Sequence, residues 1–348
     1  MRTNALSTLS FWNTPRTGVA RMQADIATAN QELVTGRYAD VGLALGSRTG
    51  LAVDLRQKTA ELAALRDSND TATLRLSTTQ AALKQMQDTA DTTLKSLTGV
   101  PEDKRAGVLK DMAAAQLASL TGLLNTSAAG QFVFGGTNTA NAPMKAYATT
   151  PASAAKAATD AAFLGAFGVS QDSAGASAIS AGDMSSFLDG SFASLFDDSA
   201  WDANWSDAGS APLTSRISLS ETVQTSASAN APALRKLAMA YVMASDLGTA
   251  NLSAAAQTVV TERVATLLGE ASKGLVTLQA DLGRSQAAIT SANTRLDAQK
   301  TLLTSQVGQM EGVDTAEAKT RVDRLSTQVQ ISYALTAQLR QLSLVSYL

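Results

Sequence analysis

The 348-residue sequence contains no cysteine and no histidine. Their absence excludes disulfides, thiolate and imidazole nucleophiles, and every metal site that depends on Cys or His ligands. Asp and Glu do not cluster at the spacing of metal ligands, and no P-loop or dinucleotide-binding glycine motif occurs. We therefore predict that the protein is not an enzyme and has no catalytic, cofactor-binding or metal-binding residues.

Aromatic residues make up only 5% of the chain, and the formal net charge is −2 without any dense Lys/Arg run. This charge distribution gives no indication of nucleic-acid binding. No apolar run approaches the roughly 18 residues that a membrane-spanning helix needs, so we expect no membrane insertion. The N-terminal segment also lacks the apolar core of a Sec signal peptide, so any export would depend on another signal.

Two long segments without proline carry a seven-residue apolar repeat, accompanied in each by a thinner second column. The first repeat consists of Leu55, Leu62, Asn69, Leu76, Leu83, Ala90 and Leu97, and the second of Leu268, Leu275, Leu282, Ile289, Leu296, Leu303 and Met310. Such columns are typical of the seam of a coiled coil. Because neither helix can bury its own stripe, we predict that the two pack along each other, antiparallel or parallel, as a rod.

The two chain ends are predicted to form helices of another kind. Asp314 followed by Glu317 indicates an N-cap and capping box that open the last helix. The apolar positions of that helix cover more than half of its circumference, which indicates burial on several sides at once. We expect other copies of the protein to supply part of this cover. The predicted subunit-interface residues are Met22, Ile26 and Leu33 near the start, and Val322, Leu325, Val329, Ile331, Leu335, Leu339, Leu342, Leu344, Val345 and Leu348 near the end.

The middle of the chain, residues 137–230, has no heptads and holds half of the aromatic residues. Nine acidic residues against Lys145, Lys156 and Arg216 give this part a charge of −6. The stretches TTPASAAKAATDAA and SAGASAISAGD are typical of loops and short strands. We predict a small β-rich or mixed domain here, inserted between two helical halves and facing solvent.

The entry to this middle part is the phrase GQFVFGGTNT, in which we expect Phe132, Val133 and Phe134 to form a short strand before a Gly135/Gly136 turn. The phrase resembles the one that closes the N-terminal helical half of the bacterial flagellar hook-filament junction proteins, which are hook-associated relatives of flagellin. The segments QADIATANQELVTGRYADVGLALG and EGVDTAEAKTRVDRLSTQVQISYALTAQLRQLSLVSYL are similar to the two ends of that family. Unlike many relatives, the chain has no Pro-Ser-Asp-Asp-Pro loop after Arg37.

The resemblance implies a mainly α, flagellin-like fold, with a long antiparallel coiled-coil or helical-bundle rod built from both chain ends. The implied domains are terminal assembly helices at 1–45 and 313–348, a helical rod at 46–136 and 231–312, and a variable insert at 137–230. The implied function is that of a structural subunit at the hook-filament junction, outside the cell, exported by the flagellar type III system.

The implied partners are further copies of the chain in a ring-like layer, a neighbouring hook-associated protein on the hook side, flagellin or a second junction protein on the filament side, and an export chaperone. The nearest alternative function is that of flagellin itself, the filament subunit. A more distant alternative is a secreted coiled-coil binding or adhesin-like module. The apolar C-terminal end argues against this last alternative, because a free-standing adhesin would end in a polar, capped segment.

Overall fold

The computed structural model describes the backbone of residues 8–345 and the side-chain surroundings of residues 16–338. The α-helices are α1 (Thr8–Thr35), α2 (Val41–Leu45), α3 (Thr49–Thr98), α4 (Glu102–Leu124), α5 (Ala154–Phe167), α6 (Ala181–Phe187), α7 (Asp198–Asn204), α8 (Pro232–Asp246), α9 (Ala254–Glu311) and α10 (Thr315–Val345). Two antiparallel hairpins pair β1 (Ser127–Ala128) with β2 (Gln131–Phe132) and β3 (Thr214–Arg216) with β4 (Thr222–Gln224). The predicted mainly α fold with long helices from both halves of the chain is confirmed.

The chain divides into two compact units. Unit 1 consists of Met1–Ala63 with Asp297–Leu348, and unit 2 consists of Ala64–Leu296. Each unit therefore draws on both halves of the sequence, and the division passes through α3 and α9.

The heptad seam forms the centre of unit 2. Its seven-residue columns are buried from Asn69 to Leu97 on α3 and from Leu268 to Leu296 on α9. The two helices are antiparallel in this unit, because Asn69 contacts Asn293 whereas Asp91, further along α3, contacts Ser272. The coiled-coil interpretation of the repeat is thus confirmed, and the direction that periodicity left open is settled.

A chain of aromatic rings forms a second part of the core of unit 2. Phe163, Phe187, Phe192 and Phe196 lie in successive ring contacts that lead to Trp201 and Trp205. All of these side chains are buried. Large rings fill volume that the surrounding Ala, Ser and Gly residues leave open, so few aromatic residues are enough to build this part of the core.

The loops and short strands predicted for TTPASAAKAATDAA are wrong. Its last nine residues form the start of α5, because the Ser153 hydroxyl accepts a hydrogen bond from the Lys156 amide as an N-cap and alanine has the highest helix propensity. Gly168 ends the helix in the left-handed conformation. The second stretch, SAGASAISAGD, is likewise a 3₁₀ turn followed by the start of α6, which Ser180 caps. The middle part is accordingly mixed, with mostly short helices.

One polar cluster ties α5 to α8. The Lys156 ammonium donates to Asp246 at 2.9 Å and to Asp160 at 3.0 Å, and the Tyr147 hydroxyl donates to Asp246 at 2.5 Å. Burial and the neighbouring Asp246 carboxylate raise the pKa of Tyr147 above its usual range. The phenol therefore remains protonated and keeps its role as a donor at physiological pH.

The segment GQFVFGGTNT forms a shorter strand than predicted, and a turn follows it. Only Gln131 and Phe132 pair in β2, while Val133 and Phe134 follow it and are fully buried. Gly136 has a φ of 56°, and a Cβ atom added there would lie 2.0 Å from the Gly209 carbonyl oxygen. The predicted glycine turn is present, and both the backbone angle and the space require glycine at position 136.

This geometry predicts that Gly136→Ala lowers the stability of the folded protein by at least about 2 kcal/mol, since it combines a left-handed alanine with a backbone clash. The matched control is Gly107→Ala in α4, where an added Cβ has no atom within 4 Å. There we expect stabilisation by about 0.5–1 kcal/mol from helix propensity. The midpoint of urea unfolding measures both, and equal shifts for the two variants would contradict the prediction.

Candidate assembly surface

Exposed apolar side chains are concentrated in unit 1. Among the large apolar side chains that are at least half exposed in the described part of the chain, eight lie in unit 1 and four in the larger unit 2. The eight are Val34, Leu43, Leu51, Val53, Leu302, Ile331, Tyr333 and Leu335. Val34 and Leu43 are the most exposed, at 85% and 84%. Single exposed apolar residues are ordinary, but unit 1 has twice as many of them as the larger unit 2.

Within unit 1, α1 and α10 form an antiparallel pair. Glu32 near the end of α1 contacts Arg321 near the start of α10, whereas Gln23, earlier in α1, donates to the Tyr333 hydroxyl at 3.0 Å. The apolar contact between the helices includes Ala29, which is 1% exposed. The pair therefore buries one narrow face of each helix.

The predicted interface residues of unit 1 fall into two groups. Met22, Ile26, Leu33, Val322 and Leu325 are half-buried, and Val329 is buried. Ile331 and Leu335 are 54% and 53% exposed on the other side of α10. Both groups belong to one helix pair, and the second group has apolar surface that the described part of the chain does not cover.

The remaining predicted residues lie outside the side chains that the structure describes. They are Leu339, Leu342, Leu344, Val345 and Leu348. Their place in an interface remains a prediction.

A short backbone ladder connects the two ends of unit 1. The Tyr38 amide donates to the Glu311 carbonyl, and the Val313 amide donates to the Gly36 carbonyl, each at 3.0 Å. The two segments run antiparallel, as the isolated β-bridge between Arg37 and Gly312 shows. The ladder joins the segment that follows α1 to the segment that precedes α10.

Ion pairs surround this ladder. The Glu311 carboxylate is 1% exposed and accepts from Arg37 and, at 2.5 Å, from Arg56 of α3. Glu32, also buried, accepts from Arg321 at 3.1 Å and from the Ala39 amide at 3.3 Å. We call these five charged residues, together with the ladder, the brace.

The charged partners in the brace are buried to different extents. Arg37 and Arg56 remain about half exposed, so water offsets much of their charge, whereas Glu311 is almost completely desolvated. A buried carboxylate is stable only while it is paired, and loss of one partner is costly. Within the described chain, Glu311 Oε1 is buried without a hydrogen-bond partner, so the carboxylate depends on its other oxygen.

The start of α10 was predicted from the sequence, and the brace was not. Asp314 Oδ1 accepts from the Ala316 amide at 2.8 Å, which confirms the predicted N-cap. Glu317 pairs with Arg321 instead of closing the capping box. No local sequence pattern predicts that Glu311 is buried and paired, because its partners Arg37 and Arg56 lie 274 and 255 positions away.

Two other kinds of site are absent from the described residues. No group of three or more Asp or Glu side chains there could hold a metal ion. None of the helices in that part of the chain combines the length and the hydropathy needed to cross a membrane.

The brace predicts a local effect of Glu311→Gln. The amide keeps the shape of the side chain but removes the charge that Arg37 and Arg56 share, so the ladder should open more often. We expect hydrogen exchange at the Tyr38 and Val313 amides to become about 5 to 30 times faster, corresponding to about 1–2 kcal/mol. The control Asp323→Asn removes an exposed carboxylate that pairs with Lys319 outside the brace, and it should leave both rates unchanged. Unaltered exchange in Glu311→Gln would show that the brace does not hold the ladder.

Comparison with protein-family models gave two matches. Residues 6–139 match the bacterial flagellin N-terminal helical region, and residues 265–348 match the bacterial flagellin C-terminal helical region. Together the two models cover more than half of the chain and both ends of it.

A solved structure from Vibrio parahaemolyticus, provisionally assigned as a flagellar hook-associated protein, is similar to this chain at 11% identity and a TM-score of 0.41. The match covers 77% of this chain and 96% of that one. The search of curated proteins gave no match. On the two family-model matches, the chain belongs to the flagellin family and is a structural subunit of the bacterial flagellum.

Proposed function

We propose that this protein forms the hook-filament junction of the flagellum, where a thin, ring-like layer of copies joins the hook to the flagellin filament. The terminal helix pair α1/α10 is the assembly element of this proposal, and the neighbouring copies in the layer are its first partners. A hook-associated protein on the hook side, and flagellin or a second junction protein on the filament side, complete the contacts.

The observation that carries assembly is the exposed apolar surface of unit 1. A large apolar side chain contributes about 1.5–3 kcal/mol when it passes from water to full burial. Ile331 and Leu335 obtain only part of this contribution from the described part of the chain, because more than half of each is exposed. Contact with a neighbouring copy would bury them, and the same gain would recur in every copy of the layer.

The distinction between junction protein and flagellin rests on the phrase GQFVFGGTNT. A strand-like FVFGGT phrase at this point of the chain resembles the pattern of the junction proteins. In this chain Val133 and Phe134 are fully buried and Gly136 is sterically required, so the phrase forms a turn with one tightly defined geometry. Flagellin remains the second candidate, because both matching family models describe flagellin regions.

The proposal includes the route of the chain to its site. A junction subunit travels through the flagellar type III export channel, escorted by an export chaperone, and assembles outside the cell. The absence of cysteine is compatible with this route, since no disulfide can form before or during passage.

The junction and flagellin candidates differ in how growth ends. Purified protein added to filament or hook seeds should bind as a thin layer and then stop if it is the junction subunit. Electron microscopy of the seeds measures the length of added material. Continuous growth in proportion to protein concentration would instead identify a filament subunit and overturn the junction proposal.

If α10 is an assembly surface, substitutions on its exposed face should weaken binding to seeds without lowering the stability of the isolated protein. In Ile331→Ser/Leu335→Ser, the isolated protein should keep its melting temperature, since both side chains are already more than half exposed. Binding to seeds should fall at least about tenfold, because apolar burial between copies is lost.

The matched control is Leu219→Ser in the β3–β4 turn of unit 2, which is 58% exposed. It should change neither the melting temperature nor seed binding. If Ile331→Ser/Leu335→Ser bound seeds as well as this control, α10 would not be an assembly surface.

A further inference from the structure

A cleft of about 720 Å³ lies among the short helices of unit 2, remote in sequence from the terminal helices. Its volume falls within the range of about 300–1,000 Å³ that ligand sites occupy. The wall is formed by the end of α5, the 3₁₀ turn before α6, and α6 itself. The lining residues are Ala166, Phe167, Val169, Gly175, Ala178, Ile179, Asp183, Ser186, Phe187 and Ser191.

Two aromatic rings belong to the apolar wall of this cleft. Phe167 and Phe187 both line it, and their centroids lie 5.1 Å apart in an edge-to-face arrangement. Phe187 is almost fully buried and is fixed from behind by Phe163, whereas Phe167 is partly exposed. An aromatic face at a solvent-accessible edge attracts cations as well as apolar groups.

One carboxylate is positioned beside these rings. Asp183 and Phe187 are four residues apart on α6, so their side chains lie on the same helix face, about 5–6 Å apart at Cβ. The Ser180 hydroxyl donates to Asp183 Oδ2 at 2.7 Å and accepts from the Asp183 amide at 3.1 Å. The cap of α6 therefore also orients the carboxylate of the cleft.

Asp183 is the one charged side chain among the described residues that line the cleft. No lysine or arginine is found among the residues that line the cleft, all of which the structure describes. Asp189, close to the cleft residue Ser191 in sequence, is already paired with Arg263. Asp183 is exposed and has no basic partner among the described ion pairs, so its carboxylate is accessible to a cation.

We propose that this cleft binds the cationic side chain of a partner protein: an ammonium or guanidinium group on an aliphatic stem, as lysine or arginine presents it. The stem contacts Phe167 and Val169, and the charged head lies between the Asp183 carboxylate and the aromatic rings. The proposal concerns this cleft of unit 2 only and does not depend on the junction assignment.

The test uses n-butylammonium as the analogue of a lysine side chain and n-butanol as its neutral counterpart. Ligand-observed NMR titration of the full-length protein gives both affinities. We expect n-butylammonium to bind more tightly than n-butanol, and Asp183→Asn to weaken only the cation, about threefold to tenfold. Phe167→Leu should weaken the cation about threefold, because it keeps an apolar wall but removes the ring.

The matched control is Asp197→Asn, which removes one negative charge from an exposed position outside the lining residues. It should leave the affinity for n-butylammonium unchanged, and thermal unfolding should confirm that all variants fold. Equal weakening by Asp197→Asn would mean diffuse attraction, and equal binding of n-butanol would mean an apolar cleft without charge selection. Either result overturns the proposal.

A pair of peptides tests the source of the cation. Acetyl-Gly-Lys-Gly-amide should compete with n-butylammonium, and acetyl-Gly-Gln-Gly-amide should not. If the lysine peptide failed to compete while n-butylammonium bound, the cleft would accept free amines but no protein side chain, and the partner-protein proposal would be wrong.

Discussion

The apolar stripe of a long helix must be covered, and the helix cannot cover it alone. Helices α3 and α9 have 50 and 58 residues, and each carries a main column of mostly apolar side chains at seven-residue spacing, with a thinner second column beside it. Within unit 2 the columns bury each other, which is why residues such as Leu76, Leu83 and Leu275 are completely buried. Other elements of this unit, including α4, α8 and the aromatic chain, add to the same core.

In unit 1 the apolar stripes of the helices are only partly covered. Helices α1 and α10 bury Ala29, Ala318 and Val329 against each other or their surroundings, but Ile331 and Leu335 remain more than half exposed. Two helices that meet along one narrow face cannot cover a second apolar face of either helix. The uncovered face is therefore a consequence of the helix pairing, and a self-assembling flagellar subunit has a use for it.

The sequence predicted what depends on local periodicity and missed what depends on distant contacts. Heptad columns repeat within a single helix, so their burial could be predicted, as could the N-cap at Asp314. Helix α5 was missed because small residues resemble loop composition, and the decisive signals were the Ser153 cap and the alanine content. The Glu311 contacts with Arg37 and Arg56 join residues that adjoin only after folding, so no spacing in the sequence could reveal them.

Polar residues within the apolar seam give the helix pairing its register. Asn69 occupies a heptad position and is fully buried, and its amide donates to Asn293 at 2.7 Å and to the Ile217 carbonyl at 3.0 Å. A leucine at this position would bury more apolar surface. It would not select one register, because leucine side chains of two helices can pack against each other in several registers. The Asn69 Nδ2 group can donate to these two partners in one register alone, even though Asn69 Oδ1 is buried without a partner in the described chain. A buried polar side chain at a heptad position specifies register in coiled coils in the same way. Every copy in an assembly must present the same surface, so a single defined register is worth more to such a protein than the stability that a uniformly apolar seam would add.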